Sequence, residues 1–384
     1  MGFLITIVVV VVAVHVYLWW RLVRPATRPG SLPRRVFTWA LVVLGALLPL
    51  AVAGGRVFGM TFEHVIAWPG YMWLAVMFYL LVFTVALEIP RAVAVLATRR
   101  AGRQPAGIDR RVFIARTAAT VAGVGALATV GYGVRTALGD PVIERIPVRL
   151  PRLDPRMSGL RLAVVSDIHI GPLTGKGHAE RIVRMINGLQ ADVVTIVGDL
   201  VDGTVAELGP LAAPLRHLES RYGAYFVTGN HEYYTSNGPQ EWIEELNSLG
   251  VRSLRNERVE IAHAGAVLDL AGINDLNGTL SEDGPDFEKA LGGRDAARPV
   301  VLLAHQPVQI RQAAGYGVDL QLSGHTHGGQ MAPFNLAVPL QQPVVAGLDK
   351  VDGTQIYVTR GAGYWGPPVR VGAPPEITLI ELRA

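Results

Sequence analysis

Five short motifs carry the kinds of side chain that bind metal ions, and each of them follows an apolar run. A carboxylate can bridge two cations, and imidazole nitrogens favour Mn, Fe, Co or Zn over Mg or Ca. Together the motifs supply enough ligands for two metal ions, an arrangement suited to breaking phosphate esters. The motifs are Asp167-Ile168-His169, Gly198-Asp199-Leu200-Val201-Asp202, Gly229-Asn230-His231-Glu232, His305 in Ala304-His305-Gln306-Pro307, and Gly324-His325-Thr326-His327-Gly328-Gly329-Gln330.

The residue types in these motifs suggest which side chains could bind each metal ion. Side chains alternate along a strand with a period of two, so Asp167 and His169 at a strand end can reach the same ion. Asp199 has two carboxylate oxygens and can bridge two ions. Asn230 offers a neutral carbonyl oxygen, which limits the negative charge around one ion. Each motif alone is a weak indicator, but all five in this order point to one site.

The apolar runs that precede the motifs predict an α/β domain. They are short, rich in Val, Ile and Leu, and bounded by Gly, Asp or Pro, as is typical of buried strands. Apolar residues at helical spacing from Ile182 to Leu189 predict a helix between the first two, which gives a strand–helix–strand unit. Loops beyond the carboxyl ends of such strands form the site. The predicted strands are 160–166, 193–197, 224–228, 300–304, 318–323, 355–359 and 377–382.

In this order the motifs resemble the pattern of the calcineurin-like metallophosphoesterase superfamily, and the resemblance covers Leu160 to Leu382. The superfamily pattern is Asp-x-His, Gly-Asp-x-x-Asp, Gly-Asn-His-Asp/Glu, a lone His and Gly-His-x-His. The Gly-His-Thr-His-Gly-Gly-Gln form and the tail from Arg360 to Ile377 look closer to a branch of bacterial membrane-associated or exported phosphoesterases related to UDP-2,3-diacylglucosamine hydrolases. The resemblance implies a four-layer α/β/β/α sandwich with a dimetal centre at one edge.

The resemblance also implies a role for each motif residue. A hydroxide between two divalent ions, for which Mn, Fe or Zn are favoured, would attack phosphorus. His231 would protonate the leaving oxygen or stabilise the transition state, and Asp202 would orient His231. The implied metal ligands are Asp167, His169 and His327 on one ion, Asn230, His305 and His325 on the other, and Asp199 between them.

Five further residues are softer candidates for the substrate pocket, and for each of them a role in loop structure is an equally good explanation. They are Asp275, Gln330, Tyr364, Trp365 and Arg370.

Residues 1–138 are predicted to form a transmembrane region. Each of four apolar runs has roughly the 17–25 residues that a helix needs to cross a bilayer. The first three lack acidic and basic residues, whereas the fourth contains Arg116. The predicted helices are about residues 3–20, 36–53, 65–87 and 112–134, followed by a proline-rich linker at 139–158 and the metallophosphoesterase domain at 159–384.

The arginines predict the orientation of this region. They lie mainly in the first and third loops, and the short loop between the second and third runs has only Arg56. By the positive-inside rule the two arginine-rich loops are cytoplasmic, which places the catalytic domain outside the cytoplasm. The arginines are Arg21, Arg24, Arg28, Arg34 and Arg35 in the first loop and Arg91, Arg99, Arg100, Arg103, Arg110 and Arg111 in the third.

Composition leaves two points open. Asp109-Arg110-Arg111 resembles a twin-arginine export signal, but it is equally well explained as a cluster of cytoplasmic loop charge. The absence of cysteine excludes disulfides and thiolate ligands without deciding the compartment. The net charge of +4 is accounted for by the loop arginines, so no nucleic-acid partner is expected.

The predicted function is that of a metal-dependent phosphoric ester hydrolase in the inner (cell) membrane. Its substrate would be a phosphomonoester or phosphodiester, lipid-linked or otherwise part of the cell envelope, and its other partner is the lipid bilayer. The alternative is a catalytically silent envelope protein that binds or senses with the same fold. Degenerate relatives usually lack several ligands, and this chain lacks none.

Overall fold

The computed structural model describes residues 2–58, 60–101, 107–235 and 237–384. The chain divides into two compact units. The helical unit comprises Met1–Arg135 and Gly366–Val369, and the sheet unit comprises Thr136–Trp365 and Arg370–Ala384.

The four predicted apolar helices are present. A short π-helical segment, Trp19–Val23, continues the first of them. The second helix continues to Phe58 and the third begins at Met60, so the described residues of the predicted loop between them are helical. Arg56 is therefore a helical residue, and Gly59 and Arg103 lie outside the described residues. The helices are α1 Gly2–Leu18, α2 Leu32–Phe58, α3 Met60–Arg100 and α4 Ile108–Leu138.

Three of these helices are long and apolar enough to cross a membrane. Among the described residues the candidate spans are Leu32–Ala51, Val65–Arg100 and Asp109–Leu138, whereas the first apolar stretch, Val8–Val23, is shorter. Large apolar side chains point outward from them, as shown by Trp39 and Phe113, which are 68% and 69% exposed. Such an apolar exterior is suited to lipid rather than water. That α1 also crosses stays a prediction.

Some polar side chains on the apolar helices are paired. The His15 ring makes a 2.7 Å contact from Nδ1 to the Val11 carbonyl oxygen, and Trp73 Nε1 donates to His15 Nε2 at 3.0 Å. Arg21 forms an ion pair with Glu88 of α3. Pairing of this kind offsets the cost of polar groups in an apolar environment. Arg21 is thus a structural residue of the helical unit as well as a basic charge near its first loop.

The sheet unit contains two six-stranded sheets. The strands are β1 Val142–Arg149, β2 Arg161–Val165, β3 Val193–Val197, β4 Ala224–Val227, β5 Val251–Ser253, β6 Glu257–His263, β7 Ala266–Gly272, β8 Val300–Leu303, β9 Leu320–Ser323, β10 Gly347–Val351, β11 Thr354–Val358 and β12 Glu376–Arg383. One sheet has the order β1-β12-β2-β3-β4-β5 and the other β10-β11-β9-β8-β7-β6. All seven predicted strands are present, and five more were not predicted.

Strand β1 occupies the segment for which the sequence predicts a linker. Its residues pair in parallel with β12, from Val142 beside Glu376 to Arg149 beside Arg383. Since β1 is the edge strand of its sheet, it tolerates Pro147, which lacks a backbone donor. The prolines that indicated a linker are therefore compatible with an edge strand.

The two sheets enclose one apolar core, and helices cover their outer faces. Leu162 and Val193 of the first sheet lie in the same buried cluster as Leu270 and Val301 of the second. On the far side of the second sheet, Phe287 packs in a cluster with residues of β7 and β8. The helices are α5 Lys176–Gly188, α6 Val205–Ala212 and α7 Gln240–Ser248 beside the first sheet, and α8 Phe287–Leu291 and α9 Ile310–Gly315 beside the second. The predicted sandwich is confirmed.

Candidate metal centre

All seven predicted ligands lie in loops that follow the carboxyl ends of strands from both sheets. Parallel neighbours β2, β3 and β4 contribute four of them, and the parallel pair β8 and β9 contributes three. Strand ends of parallel neighbours meet at one edge of a sheet, which is how the fold brings distant motifs together. The ligands are Asp167 and His169 after β2, Asp199 after β3, Asn230 after β4, His305 after β8, and His325 and His327 after β9.

Five of these residues adopt a left-handed backbone conformation that side chains other than glycine rarely take. Their φ angles are 52° at Asp167, 48° at His169, 49° at Asp199, 71° at His325 and 51° at His327. Residues in this region cost free energy and cluster at functional sites, where surrounding structure holds them. The strain is part of how these side chains are aimed at one point.

Gly229 shows how tightly the loops approach each other. A Cβ atom at this position would lie 2.2 Å from Asp199 Oδ1 and 2.4 Å from the Asp199 backbone nitrogen. Only glycine allows the loop after β4 to come this close to the Asp199 carboxylate. The glycine of the Gly-Asn-His-Glu motif is therefore a packing requirement of the site.

The first ligand cluster consists of Asp167, His169 and His327, all buried. His169 Nε2 lies 3.2 Å from His327 Nε2, and His327 Nε2 lies 3.3 Å from Asp167 Oδ1. Two imidazole nitrogens and a carboxylate oxygen thus converge on one point. Such a donor set suits a divalent cation with borderline nitrogen and oxygen preferences.

The second cluster consists of Asp199, His305 and His325. Asn230 stands in sequence between Gly229, which packs against Asp199, and His231, whose backbone nitrogen donates to Asp199 Oδ1 at 2.9 Å. His305 Nε2 lies 3.2 Å from Asp199 Oδ2 without hydrogen-bond geometry, and it has no hydrogen-bond partner among the described residues. Asn230 Oδ1 is likewise buried without a partner in the described part of the chain. Buried polar atoms are normally satisfied. These two lone pairs fit a cation, which would supply the missing interaction.

Asp199 lies between the two clusters. Its Oδ2 is 4.0 Å from His169 Nε2 of the first cluster and 3.2 Å from His305 Nε2 of the second. Burial opposes ionisation, but the charges of His305 and His231 hold the pKa of Asp199 well below its usual range. The carboxylate is therefore ionised at neutral pH and can bind on both sides.

The ligating imidazoles are supported from behind. Asp202 Oδ1 accepts from His169 Nδ1 at 2.8 Å and from His231 Nδ1 at 2.7 Å. The Val197 carbonyl oxygen accepts from His305 Nδ1 at 2.8 Å. Partners of this kind set the tautomer and orientation of a metal-binding histidine. The sequence predicts that Asp202 orients His231; it also holds the ligand His169.

Arg370 supports His327 in a different way. Its guanidinium is fully buried, with Nη2 lying 3.1 Å from His327 Nδ1 and Nη1 donating to the His327 carbonyl oxygen at 2.9 Å. It also donates to the carbonyl oxygens of Gly363, Arg360 and Ala373. Arg370 therefore ties the loop after β11 to the His327 loop.

His231 stands beside the clusters with its Nε2 atom 4.0 Å from Asp199 Oδ2. Burial disfavours the charged ring, but the Asp199 and Asp202 carboxylates outweigh it and raise the pKa of His231 to about 9. The ring is also in edge contact with Tyr234 and Trp365, whose centroids lie 5.0 and 6.3 Å away. His231 is thus an imidazole with a raised pKa beside the donor atoms, with aromatic neighbours at the surface.

Glu232 has a structural role that was not predicted from the sequence. Its buried carboxylate accepts from the backbone nitrogens of Gly229, Asp199 and Leu200 at 2.6, 3.1 and 2.8 Å. Burial and the Asp199 charge raise the pKa of Glu232 to about 7. The carboxylate joins the loops after β3 and β4. Its place in the Gly-Asn-His-Glu motif was the available indication.

The softer candidates separate into structural residues and one exposed residue. Asp275 is buried and accepts from Gln306 Nε2, and the Tyr364 hydroxyl donates to the Leu173 carbonyl oxygen. Gln330 exchanges hydrogen bonds with the Trp365 backbone. Trp365 is 57% exposed and contacts His231. Among the five, Trp365 is the one placed to contact a substrate.

Comparison with known proteins agrees with this geometry. The family described as calcineurin-like phosphoesterase matches residues 160–329. A protein of Bos taurus named "transmembrane protein with metallophosphoesterase domain" is 38% identical over 364 residues, which cover 90% of this chain and 81% of that protein. Its namesake in Danio rerio is 36% identical over 96% of this chain and 86% of that protein. A metallophosphoesterase of Helicobacter pylori is 42% identical over 67% of this chain and 68% of that protein.

The matches confirm the predicted superfamily and the predicted enzyme class of metal-dependent phosphoester hydrolase. The finer resemblance, to the branch of UDP-2,3-diacylglucosamine hydrolases, stays a prediction. Because a relative this similar extends over most of both chains, the protein belongs to the calcineurin-like metallophosphoesterases.

Proposed function

We propose that the protein is a membrane-anchored dimetal phosphoesterase that hydrolyses a lipid-linked or other cell-envelope phosphoester. The observation that carries this proposal is that Asp199 lies between the two ligand clusters, with His231 beside it. A protein that only binds or senses would not need a complete ligand set together with a positioned histidine. The intact set therefore favours catalysis over the silent alternative.

The proposed metal ligands are those assigned by the motifs. One divalent ion is held by Asp167, His169 and His327, the other by Asn230, His305 and His325, and Asp199 contributes to both. When bound, the ions would polarise the phosphoryl oxygens and acidify a water molecule for in-line attack. The nitrogen-rich donor set favours Mn, Fe or Zn.

His231 is the proposed proton donor. Its Nδ1 faces Asp202 at 2.7 Å, so the Nδ1 proton is engaged and the Nε2 proton is the one available toward the substrate. The Asp199 and Asp202 carboxylates raise the pKa of His231, which favours a ring that carries a proton. His231 can then give a proton to the departing oxygen, and Asp202 keeps the ring in the required orientation.

We further propose an inner-membrane location with the catalytic domain outside the cytoplasm. The arginines near the α1–α2 and α3–α4 connections support this orientation by the positive-inside rule. Several that the sequence assigns to loops lie within helices instead: Arg34, Arg35, Arg91, Arg99, Arg100, Arg110 and Arg111. The proposed catalytic domain begins at Asp140 rather than after residue 158, because β1 pairs with β12 within the sheet unit.

The test of activity is a substrate screen on the full-length protein in detergent, loaded separately with Mn²⁺, Zn²⁺ and Fe²⁺. Soluble aryl phosphomonoesters and phosphodiesters, phospholipids and UDP-linked lipids are compared. Metal-dependent turnover of at least one lipid ester supports the proposal. Absence of metal-dependent turnover with every ester would favour the silent alternative.

The test of topology is an alkaline-phosphatase reporter fused after Asp140, which is expected to be active. Protease should reach the sheet unit in spheroplasts, and protection there would place the domain in the cytoplasm. Replacing Arg110 and Arg111 by Lys keeps the loop charge. If this pair is a twin-arginine signal, the double variant will retain the domain inside; normal export refutes that signal and leaves the topology intact.

A further inference from the structure

A segment without charged residues follows the last ligand loop. No Asp, Glu, Lys or Arg occurs between residues 324 and 348, although 17% of the chain is charged, which would give about four in a stretch of this length. Within it Phe334, Leu336 and Leu340 are 55%, 76% and 87% exposed. Large apolar side chains that are this exposed in a row indicate a surface meant to be covered.

The segment is held in place rather than loosely attached. Two short 3₁₀ turns, Phe334–Leu336 and Val338–Leu340, shape its backbone. Its far end is fixed by Gln342, whose Oε1 accepts from the Val308 nitrogen at 2.9 Å, and by Thr326, whose Oγ1 donates to the Val345 carbonyl oxygen at 2.6 Å. The apolar side chains are therefore presented outward by an ordered scaffold.

This segment lies directly against the ligand loop. A Cβ atom on Gly329, two residues after His327, would lie 2.4 Å from Asn335 Cα. Gln330 of the same loop exchanges hydrogen bonds with the backbone of Trp365, which is 57% exposed and contacts His231.

A further exposed leucine belongs to another loop, whose residue Asn277 contacts a neighbour of His231. Leu280 is 91% exposed in the 3₁₀ segment Leu276–Ser281. Asn277 of that segment donates to the Tyr234 hydroxyl at 3.3 Å, and the Tyr234 ring contacts His231. Two separate loops that touch the neighbours of His231 thus carry exposed apolar side chains. We use the name apolar rim for five exposed residues on these two loops and on the loop after β11, namely Leu280, Phe334, Leu336, Leu340 and Trp365.

We propose that the apolar rim enters the surface of a lipid bilayer and brings the site to a phosphoester whose apolar chain remains in the lipid. The proposal rests on the proposed phosphoesterase function and names the surface that would select such a substrate. A lipid surface fits better than a protein partner, because the segment from residue 324 to 348 has no charged side chain that could pair with a partner. Leucine, phenylalanine and an interfacial tryptophan are the residues that insert at the headgroup boundary.

Insertion can be measured without any enzymatic activity. The chain has no cysteine, so Leu340→Cys places a single environment-sensitive fluorophore on the rim of the full-length protein. Ser248→Cys, on an exposed position of α7 in the same unit, is the matched control. In vesicles of phosphatidylethanolamine and phosphatidylglycerol that contain nitroxide-labelled acyl chains, we expect quenching at position 340 and little at 248. Equal quenching at the two positions, at any level, contradicts the proposal.

Selection of the substrate is tested by removing the apolar side chains. The double variant Leu336→Gln with Leu340→Gln is compared with Leu348→Gln, a 44% exposed leucine on β10. Since these side chains are exposed, thermal unfolding should stay unchanged. We expect kcat/KM on a vesicle-embedded nitrophenyl phosphoester to fall about tenfold in the double variant. On the matched soluble ester it should stay within about twofold, and Leu348→Gln should leave both unchanged.

The two outcomes separate the inference from the function on which it rests. Equal activity of the double variant and the parent on the embedded ester contradicts the rim, while the phosphoesterase function stands. If the parent protein hydrolyses neither ester, the proposed phosphoesterase function is contradicted. The quenching measurement, which needs no activity, then tests membrane insertion of the apolar rim by itself.

Discussion

The two ligand clusters lie on either side of Asp199 but are supported differently. In the first, His169 is held by the Asp202 carboxylate and His327 by the Arg370 guanidinium. In the second, His305 is held by the backbone carbonyl of Val197, and Asn230 Nδ2 donates to the Tyr234 hydroxyl at 3.3 Å. One cluster therefore depends on charged side chains from other loops, whereas the other depends mainly on a strand backbone and a neutral hydroxyl.

This difference shows where each cluster is vulnerable. A carbonyl of a central strand cannot be removed by substitution without disturbing the sheet, so the second cluster should tolerate changes around it. The first cluster can be weakened through residues that touch no metal. The following substitutions probe this contrast from the largest expected effect to the smallest.

Asp199→Asn should abolish hydrolysis and lower bound metal below two ions per chain, because a neutral amide does not bridge two cations. Metal content after dialysis and turnover of an aryl phosphoester are the measurements. Asp192→Asn, which removes a carboxylate paired with Arg161 away from the clusters, is the control. Two retained ions with near-full activity would show that the clusters do not share this residue.

His231→Ala should lower kcat by roughly 10²–10⁴-fold, the range for loss of a general acid or base. Metal content should stay at the parent level, because His231 is assigned to neither cluster. The exposed His217 gives the control substitution His217→Ala. Loss of metal in His231→Ala would make this histidine a ligand and change the membership of the clusters.

Arg370→Gln should weaken metal binding at the first cluster by roughly 10–100-fold, the usual effect of losing a partner behind a ligand, and leave the second cluster unchanged. Titration with Mn²⁺ should then show one tight and one weakened step, where the parent shows two tight steps. Arg152→Gln, which breaks an arginine–carboxylate pair outside the site, is the control.

Arg370→Lys tests whether the several hydrogen-bond donors of the guanidinium group, rather than its charge alone, are needed for metal binding at the first cluster. It keeps the charge but cannot reach the same set of carbonyl oxygens. Its first-cluster affinity should fall between those of the parent and Arg370→Gln. Equal weakening of both steps in Arg370→Gln would mean that Arg370 supports the fold generally rather than the first cluster.

Tyr234→Phe should weaken the second cluster by only about threefold, since it removes one neutral and long hydrogen bond to Asn230. The same metal titration detects the change, and Tyr222→Phe, whose hydroxyl contacts His263, serves as the control. A loss as large as that of Arg370→Gln would remove the contrast between the clusters.

The sequence could predict that the proposed ligands lie close together, because each motif follows a strand and the family order of motifs is complete. The residues that hold these ligands in place could not be predicted from the sequence. Arg370 lies far from His327 in sequence and reaches it because the loop after β11 folds back. Its partners are backbone carbonyl oxygens, which every residue has, so the residue types in the sequence do not indicate them. Asp202 was assigned to one histidine, and only the geometry shows that its carboxylate reaches two.

The missed strands have a similar explanation. Strand β1 carries Pro147 and a pattern interrupted by Glu144 and Arg145, which is acceptable at an edge where one side of the strand has no neighbour. Long apolar runs predicted the helices well, since few other structures need them. The ends of these helices were less predictable. Helix α2 continues to Phe58 and α3 begins at Met60, where the sequence predicts a loop.

The most direct test of the central claim is electron paramagnetic resonance of the full-length protein loaded with Mn²⁺, together with its metal content. Two ions that share Asp199 should lie within about 4 Å and give an exchange-coupled signal at two ions per chain. The coupled signal should vanish in Asp199→Asn and persist in His231→Ala. An isolated six-line Mn²⁺ spectrum at one ion per chain in the parent protein would contradict the shared dimetal centre.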